Sequence, residues 1–406
     1  MSQVFLLGNP GTKRTLYLGR AAQQAGLPAL LPEGRGGEGA LLAVAGLLDW
    51  EGWPHCLPQP DGARKFIKID PPLWHSSSLD ELEDLTRGYQ HRLALLASMA
   101  QADNWEFLNH PDAIRALLDK RGCKETLARA GLPVTECLEG GAGESIVTFR
   151  GGTAFDENLA STGRGKRVGY ALPSPPLGEG KVERLLEAME KRHMHQIFMK
   201  PLYGSGAAGV AAFRWQPKTG RMALYTCAME TPGGGLANTK KLRCFTKKDE
   251  VVSLLGRILQ LRCIIERWYA KAEYQGNPYD LRAVVQDGRL DFLLARLSRG
   301  PITNLHLNNH PMEASRLNLP EEVWASVSAL CQKAMACFSG LRSAGIDILL
   351  EKGSRTPRII EMNAQGDLLY QDIYHENLIY RHQADMIRRW IEEGKCNLEK
   401  KGIGFK

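Results

Sequence analysis

The sequence predicts a mixed α/β (α+β) protein built from two or three packed units. Short apolar runs alternate with amphipathic helical patterns, as in the run 4–7 followed by 12–24, where Leu16, Ala21 and Ala22 offer an apolar face. The turn Asp287-Gly288 joins the apolar strands 280–285 and 290–296 into a hairpin. The 406 residues exceed the roughly 100–200 of a single domain.

In chain order, 4–7 is a strand that ends in Gly8-Asn9-Pro10-Gly11 before the helix 12–24. The apolar residues 27–31, interrupted by Pro28, lead through a loop at 34–39 to an apolar run at 40–48 and an aromatic turn at Trp50 and Trp53. A long helix over 79–99 completes an α/β unit that closes near residues 109–111. Helical spacing resumes over 112–130 and stops at Gly131, followed by Pro133, and a new domain begins there. Residues 140–180 are rich in Gly, Ser and Pro and too long for an ordinary connection, so they form either an ordered functional loop or a mobile insertion. Beyond them come a helix at 182–192, strands at 197–200, 210–213 and 221–229, a Gly-rich basic loop at 231–241 and a helix at 249–261. Strands at 263–266, 280–285 and 290–296, a helix at 321–338, strands at 345–350 and 358–362 and a closing helix at 380–393 complete the chain.

Composition narrows the function classes. Hydrophobic residues make up 43% and charged residues 24%, the balance of a folded rather than a disordered chain. Lys and Arg (52) exceed Asp and Glu (45) by a formal +7 that is dispersed except at Lys400, Lys401 and Lys406. This favours anionic ligands weakly and does not indicate a nucleic-acid partner. Trp50, Trp53, Trp74 and Trp105 do not interleave with a basic stripe, as single-strand binding requires. The nine cysteines contain no Cys-x-x-Cys, so reduced core cysteines are expected. No apolar run approaches the ~18 residues of a membrane span and no signal-peptide pattern follows Met1, so a cytoplasmic protein without a membrane partner is expected.

Two patterns point to chemistry. Lys200 ends a strand that runs into Tyr203-Gly204-Ser205-Gly206-Ala207-Ala208-Gly209, where small residues let backbone N–H groups approach an anion and the lysine adds charge. This suits a polyphosphate, although a plain hairpin turn also uses such glycines and no Walker Gly-Lys-Ser/Thr follows. Glu361 and Asn363, two apart on one strand, project from one face beside the strand that carries Asp347. Three hard oxygen donors on one face suit Mg2+ held with nucleotide phosphates; a solvated strand face is the plain alternative. Between the two patterns, Arg282, Arg296 and Arg299 supply guanidinium groups able to stabilise phosphoryl charge. His306 with His310 and His193 with His195 lack a partnering Cys or acid at zinc-site spacing. Residues 8–14 offer either an anion site at a helix N-terminus or a simple strand-to-helix turn.

The ordered set Asp119-Lys120, Lys200 with its Gly-rich turn, Ile264-Ile265-Glu266-Arg267-Trp268-Tyr269, Asp280-Leu281-Arg282, Arg296, Asn304, Asp347 and Glu361-Met362-Asn363 resembles the ATP-grasp superfamily. The likeness is strongest to its ribosomal-protein glutamate ligase, glutathione synthetase and D-alanine ligase branches and covers residues 109–366. It implies an ATP-grasp fold with a Rossmann-like pre-ATP-grasp domain at 1–110, a central lid subdomain at 111–265 and a C-terminal subdomain at 266–398. By the same resemblance Lys120 and Lys200 contact the phosphates and adenine region, while Gly204, Ser205, Gly206 and Gly209 belong to a flap over the triphosphate. Glu266, with the backbone of Arg267, Trp268 and Tyr269, would hold adenine, and Glu273 the ribose. Asp347, Glu361 and Asn363 match ligands for one or two Mg2+ ions, with Mn2+ as a substitute. Arg282 and Arg296 match arginines at the γ-phosphate and reacting carboxyl, and Asn304 an asparagine near substrate and metal. The family's usual Asn-x-Ser/Pro-Gly ending stands here as Asn363-Ala364-Gln365-Gly366, and the 66-residue interval from Lys200 to Glu266 is long for these branches.

The expectation is an ATP- and Mg-dependent carboxylate–amine ligase. It would form an amide through an acyl phosphate and release ADP and phosphate, acting on small-molecule carboxylates and amines or on a peptide acceptor. A kinase on the same fold and a non-catalytic nucleotide-binding protein are the alternatives. Relatives of these branches are often dimers or tetramers, so a homodimer or homotetramer is expected too.

Overall fold

The computed structural model describes residues 2–8, 12–27, 30–32, 41–44, 64–72, 77–101, 105–138, 179–204, 207–307, 309–365 and 377–400. In order, the elements are β1 (Ser2–Leu7), α1 (Lys13–Gln24), β2 (Leu30–Pro32), β3 (Leu41–Val44), β4 (Arg64–Ile69), α2 (Leu82–Gln101), β5 (Trp105–Phe107), α3 (Pro111–Leu118), α4 (Lys120–Arg129), α5 (Glu179–Lys191), β6 (Gln196–Pro201), β7 (Ala211–Gln216) and β8 (Arg221–Glu230). There follow β9 (Leu236–Phe245), α6 (Lys248–Ile258), β10 (Cys263–Arg267), β11 (Glu273–Tyr274), β12 (Asn277–Gln286), β13 (Arg289–Leu297), β14 (His310–Glu313), α7 (Glu321–Ala336), β15 (Ser343–Leu350), β16 (Pro357–Asn363) and α8 (Leu378–Lys400). They cluster into two units, one of Met1–Thr135, Leu202–Ala207 and Tyr269–Lys406, the other of Glu136–Pro201 and Ala208–Trp268. The segment 140–180 and the aromatics Trp50, Trp53 and Trp74 lie outside the described residues, apart from the start of α5.

In the first unit a parallel sheet runs in the order β2-β3-β1-β4-β5. Its central strands are buried on both faces, as the apolar run 4–7 requires. Val4, Leu6 and Phe66 pack with α1 and α8, and Leu7, Ile67 and Ile69 with α2. Thr12 caps α1, its side chain accepting a hydrogen bond from the Thr15 N–H.

The same unit holds an antiparallel sheet in the order β14-β13-β12-β15-β16, with β11 on β12. Strand residues alternate between faces. Leu281, Ala283, Ile346 and Ile348 are buried with Val327, Leu330, Cys331 and Ala334 of α7. That burial turns Asp280, Arg282 and Asp347 to the opposite face. At the far end of this opposite face Val284, Phe292 and Leu294 pack with Tyr380, Ile387 and Trp390 of α8, which also cover the parallel sheet. Residues 280, 282, 296 and 347 are therefore the part of the face that α8 leaves to charged side chains.

The second unit is an antiparallel sheet, β10-β6-β7-β8-β9, with α5 and α6 on one face. Its core joins Val182, Leu185 and Met189 with Ile197, Met199, Phe213 and Leu224, and Val251, Leu255 and Ile258 of α6. Lys200 and Glu266 lie on the other face, since they alternate with these inward residues on β6 and β10.

Two sequence expectations are corrected. The helix expected over 112–130 is two helices, because Asp119 leaves helical geometry (φ −88°, ψ 97°) and its carboxylate caps α4 by accepting from the N–H groups of Arg121 and Gly122. The loop expected at 231–241 is a turn followed by the ten-residue strand β9, an edge strand whose polar and basic residues suit its unpaired side. Among the described residues no helix is long and apolar enough to cross a membrane, and Cys123, Cys137, Cys227, Cys244, Cys263, Cys331 and Cys337 form no disulfide.

One side chain ties the two sheets of the first unit together. Asn109, 6% exposed, donates from Nδ2 to the carbonyls of Ser343 (2.7 Å) and Ala364 (2.6 Å), while Oδ1 accepts from the N–H groups of Arg342 (2.9 Å) and Ser343 (2.8 Å). Asn109→Ala leaves four backbone groups without their partner, and each orphaned buried group costs about 1–3 kcal/mol. A loss of about 3 kcal/mol or more is expected in urea unfolding, and a loss under about 1 kcal/mol would show that water replaces the side chain.

Candidate functional site

The charged face of β12, β13, β15 and β16 gathers most of the residues singled out above. Asp280 stands opposite Arg296, and Arg282 opposite Asp347, which in turn faces Glu361; Asn363 stands opposite Gly345. Arg296 Nε donates to Asp280 Oδ1 (2.7 Å) and Arg296 Nη2 lies 3.0 Å from Asp347 Oδ2. Arg282 Nε lies 2.8 Å from Asp347 Oδ1, an ion pair off hydrogen-bond alignment. Asp280 Oδ2 also accepts from Thr303 Oγ1 and faces Lys271 Nζ at 3.5 Å. Cations and carboxylates thus alternate across β13, β12 and β15.

Burial sets the electrostatics of this chain. Loss of solvent by itself raises the Asp280 carboxyl, but the charges of Arg296 and Lys271, with hydrogen bonds from Arg296 and Thr303, outweigh it and hold the group down at about 2. Burial pulls the Arg296 guanidinium down, while Asp280 and Asp347 pull it further up, so it stays charged. Arg296 is 4% exposed and committed to both carboxylates.

Gly345 is required by this arrangement. A Cβ placed on it would stand 2.5 Å from Arg282 Nη1, so the guanidinium lies across β15 only because residue 345 has no side chain. Nη1 is buried and has no hydrogen-bond partner among the described residues, and neither has Asp347 Oδ1.

Lys120, the first residue of α4, brings the glycine turn to the same face. Its Nζ donates to the Gly204 carbonyl (2.6 Å) and lies 3.8 Å from Glu361 Oε1. Gly204 holds φ +110°, a conformation that glycine adopts without strain. Ser205 and Gly206 lie outside the described residues. Asn304 follows Thr303, and its carbonyl accepts from Asn309 Nδ2 (2.8 Å). Gln365, the departure at the end of β16, donates from Nε2 to the Ile69 carbonyl (2.9 Å) and to the Tyr89 hydroxyl (2.8 Å), so it ties the strand end to the parallel sheet.

The other expected residues have neighbours of their own. Glu273 is on the surface with Lys352 Nζ at 2.7 Å, and the Tyr269 ring lies 4.8 Å beneath the Arg358 guanidinium. In the second unit Lys200 Nζ donates to Glu266 Oε2 (2.8 Å), both side chains being buried. Arg267 pairs with Glu136 (2.7 Å). Trp268 packs on Phe198 with ring centres 5.3 Å apart, and Arg214 lies 4.7 Å above its ring. The Gly209 N–H donates to Asn238 Oδ1 (3.4 Å).

Sequence reading missed Gly345, Lys271 and Thr303. The only signal for Gly345 is its position two before Asp347, which places it on the charged face. Lys271 and Thr303 carry no periodic signal, because each sits on a connection outside the paired strands. Among the described residues no three His, Cys, Asp or Glu side chains converge as a metal site, so the candidate set comprises two carboxylates and the Asn363 amide.

No protein-family model matches the chain, and no curated protein is similar to it in sequence. Solved structures are similar in fold. The D-cycloserine synthetase DcsG is 12% identical, over 96% of this chain and 99% of that one, with a TM-score of 0.52. The ATP-grasp ligase PsnB complexed with minimal precursor, Mg and ADP is 12% identical over 96% and 98%, with a TM-score of 0.51. The macrocyclase MdnC from Microcystis aeruginosa MRC bound with precursor peptide MdnA is 12% identical over 96% and 100%, with a TM-score of 0.50. The chain has the ATP-grasp fold, as its ordered motifs implied.

The Asp280 network makes a pH prediction. A carboxyl held at about 2, against about 3.9 when unfolded, adds stability that is complete above pH ~4 and is lost as pH falls through 2. Its size is about 2 kcal/mol. In urea unfolding Asp280→Asn should be destabilised relative to the wild type at pH 7, with the difference shrinking from pH ~4 downwards. A difference that is constant from pH 7 to 3 would remove Asp280 from the charge chain.

Proposed function

We propose that the chain is an ATP- and magnesium-dependent carboxylate–amine ligase, which releases ADP and phosphate through an acyl phosphate. The observation that carries this reading is the single sheet face on which Arg296, Asp280, Arg282, Asp347, Glu361 and Asn363 meet. Four cations, Arg282, Arg296, Lys120 and Lys271, stand there against three carboxylates, Asp280, Asp347 and Glu361. The face therefore favours a ligand of net negative charge.

The fit to magnesium is tested by the donor set. Asp347 and Glu361 supply carboxylate oxygens and Asn363 an amide oxygen, the hard donors that magnesium takes. Asp347 Oδ1 is buried and meets Arg282 Nε only as an ion pair off hydrogen-bond alignment, and Arg282 Nη1 is buried without a hydrogen-bond partner among the described residues, a donor able to meet an anionic oxygen. When bound, magnesium supplies charge neutralisation at phosphoryl oxygens. Arg282 contributes a guanidinium held in place by Asp347 and Gly345, so it needs no rearrangement as charge develops on the transferred phosphoryl group. Arg296 acts mainly by fixing Asp347 and Asp280, a positioning role that its burial supports. Lys120 links Gly204 to Glu361, so the glycine turn and the metal-side strand respond to the same bound phosphates.

For the nucleotide we assign Lys200 and Glu266, with the backbone of Arg267 to Tyr269, to the base and adjoining phosphates. Their buried ion pair supports the assignment, since the bond from Lys200 Nζ to Glu266 Oε2 (2.8 Å) fixes the carboxylate in place. Glu273 is the least supported member, because its carboxylate already meets Lys352. The substrate carboxylate attacks the γ-phosphate, ADP leaves, and an amine displaces phosphate from the acyl phosphate. ADP and Mg in the PsnB complex, and the precursor peptides bound to PsnB and MdnC, support a nucleotide site and a peptide among the candidate acceptors. Small-molecule acids and amines are equally compatible with the face.

Two experiments test this reading. Purified protein with Mg-ATP, pooled carboxylates including peptides, and hydroxylamine as trap should release ADP and form a hydroxamate, and Glu361→Ala should form none. ADP release with phosphate left on a hydroxyl acceptor, and no hydroxamate, would overturn the ligase in favour of a kinase. Gly345→Ala should displace the Arg282 guanidinium while the fold stays intact, because Nη1 is the free end of a flexible side chain. Turnover is expected to fall at least ~10-fold with Tm nearly unchanged; unchanged turnover would show that Arg282 acts without this fixed position.

A further inference from the structure

The carboxyl ends of β1 and β4 carry a group that the reading above does not use. Asp70, the residue after β4, is 6% exposed, and its Oδ1 pairs with Lys68 Nζ. Its Oδ2 is buried and accepts no hydrogen bond among the described residues. A carboxylate oxygen in that state is costly unless something donates to it. Oδ2 lies against Gly8, the residue after β1, where a Cβ would stand 2.7 Å from Oδ2 and 2.9 Å from Asp70 Cβ. Only a residue without a side chain fits beside this oxygen.

Its place in the fold is independent of that argument. The strand order β2-β3-β1-β4-β5 means that the chain leaves β1 to build one side of the sheet and then returns to build the other from β4. α1, after β1, packs on the Val4 and Leu6 face, and α2, after β4, on the Leu7 and Ile67 face. In open α/β sheets the crevice at the carboxyl ends, where the order reverses, is where ligands bind. Gly8 and Asp70 flank that point. Gln365 closes one side by donating to the Ile69 carbonyl (2.9 Å), and Arg14, in the first turn of α1, donates to the Gln365 carbonyl (3.0 Å).

We propose that this crevice binds a primary amine, with Asp70 Oδ2 as the acceptor for its N–H groups. With Lys68 on Oδ1 the pair is formally neutral, so it is the need of Oδ2 for a donor that selects the ligand: a carbonyl or an ionised carboxylate has nothing to donate, whereas an ammonium group supplies three donors. As the amine subsite of the reaction the assignment rests on the ligase reading; as a binding site it stands without it. The same loop carries Asn363 and Gln365, so an amine held at Asp70 belongs to the unit that presents the metal-side carboxylates.

The test is ligand-induced thermal stabilisation of the full chain. Glycine, L-lysine, putrescine and trialanine serve as probes, beside N-acetylglycine and N-acetyltrialanine. At least one free amine should raise Tm in the wild type, and its acetylated form should not. Asp70→Asn, which removes the charge, and Gly8→Ala, which keeps the charge but fills the space beside Oδ2, should each weaken that binding at least ~10-fold. The proposal is overturned if no amine stabilises the wild type, if acetylated probes bind equally, or if both variants keep the response. The wild-type comparison alone decides the matter should either variant fail to fold. Hydroxamate formation by the wild type is read separately, so failure of the ligase reading is distinguishable from failure of the amine site.

Discussion

The first unit depends on a chain of buried charges, Asp280, Arg296, Asp347 and Arg282, running across three adjacent strands. Such a chain is poor evidence for stability, because stripping water from four ions costs about what their attraction returns. Its effect is positional. Asp280, Arg296 and Asp347 are each held by two charged neighbours and Arg282 by Asp347, so the guanidinium groups are positioned before any ligand arrives. Alternation along β12 and β15 then makes the arrangement inseparable from the core: the register that buries Leu281, Ala283, Ile346 and Ile348 is the register that sets Asp280, Arg282 and Asp347 facing the other way.

Much of this was legible in the sequence because strands advertise themselves by alternation. The hairpin at Asp287-Gly288, the apolar strands on either side, and the two-residue spacings of Asp280 with Arg282 and Glu361 with Asn363 all survive in the structure. What was not legible is instructive. β9 carries basic residues where a central strand could not, and it is a strand only because β8 offers an edge to pair with. Asp119 reads as one more polar residue in a helix, and its carboxylate cap is visible only once α4 is seen to start after it. That break decides where Lys120 falls, and hence that it reaches both Gly204 and Glu361.

Two glycines show a different limit. At Gly345 and Gly8 the informative feature is the atom that a side chain would displace, Arg282 Nη1 in one case and Asp70 Oδ2 in the other. Neither position needs a left-handed backbone, so neither is marked by turn chemistry. Their meaning lies entirely in partners 63 and 62 residues away in the chain, which no local pattern encodes.

The Gln365 departure fits the same logic. A residue at this position can leave the strand end open to a ligand or fasten it to the neighbouring sheet, and here it fastens. Its amide spans the Ile69 carbonyl and the Tyr89 hydroxyl, while Asn109 holds the Ala364 carbonyl from the other side. The end of β16 is thus pinned at two successive residues, Ala364 to Asn109 after β5 and Gln365 to the end of β4, and any shift of Glu361 and Asn363 relative to Asp70 would break hydrogen bonds that are part-buried and not replaced by water without cost. If phosphoryl chemistry occurs at one end of this pinned segment and amine binding at the other, their separation is set by covalent geometry and these three hydrogen bonds rather than by closure of the molecule around its substrates. Selectivity among acceptors then resides in how far an amine reaches from its own carboxylate neighbours, a length fixed within one unit.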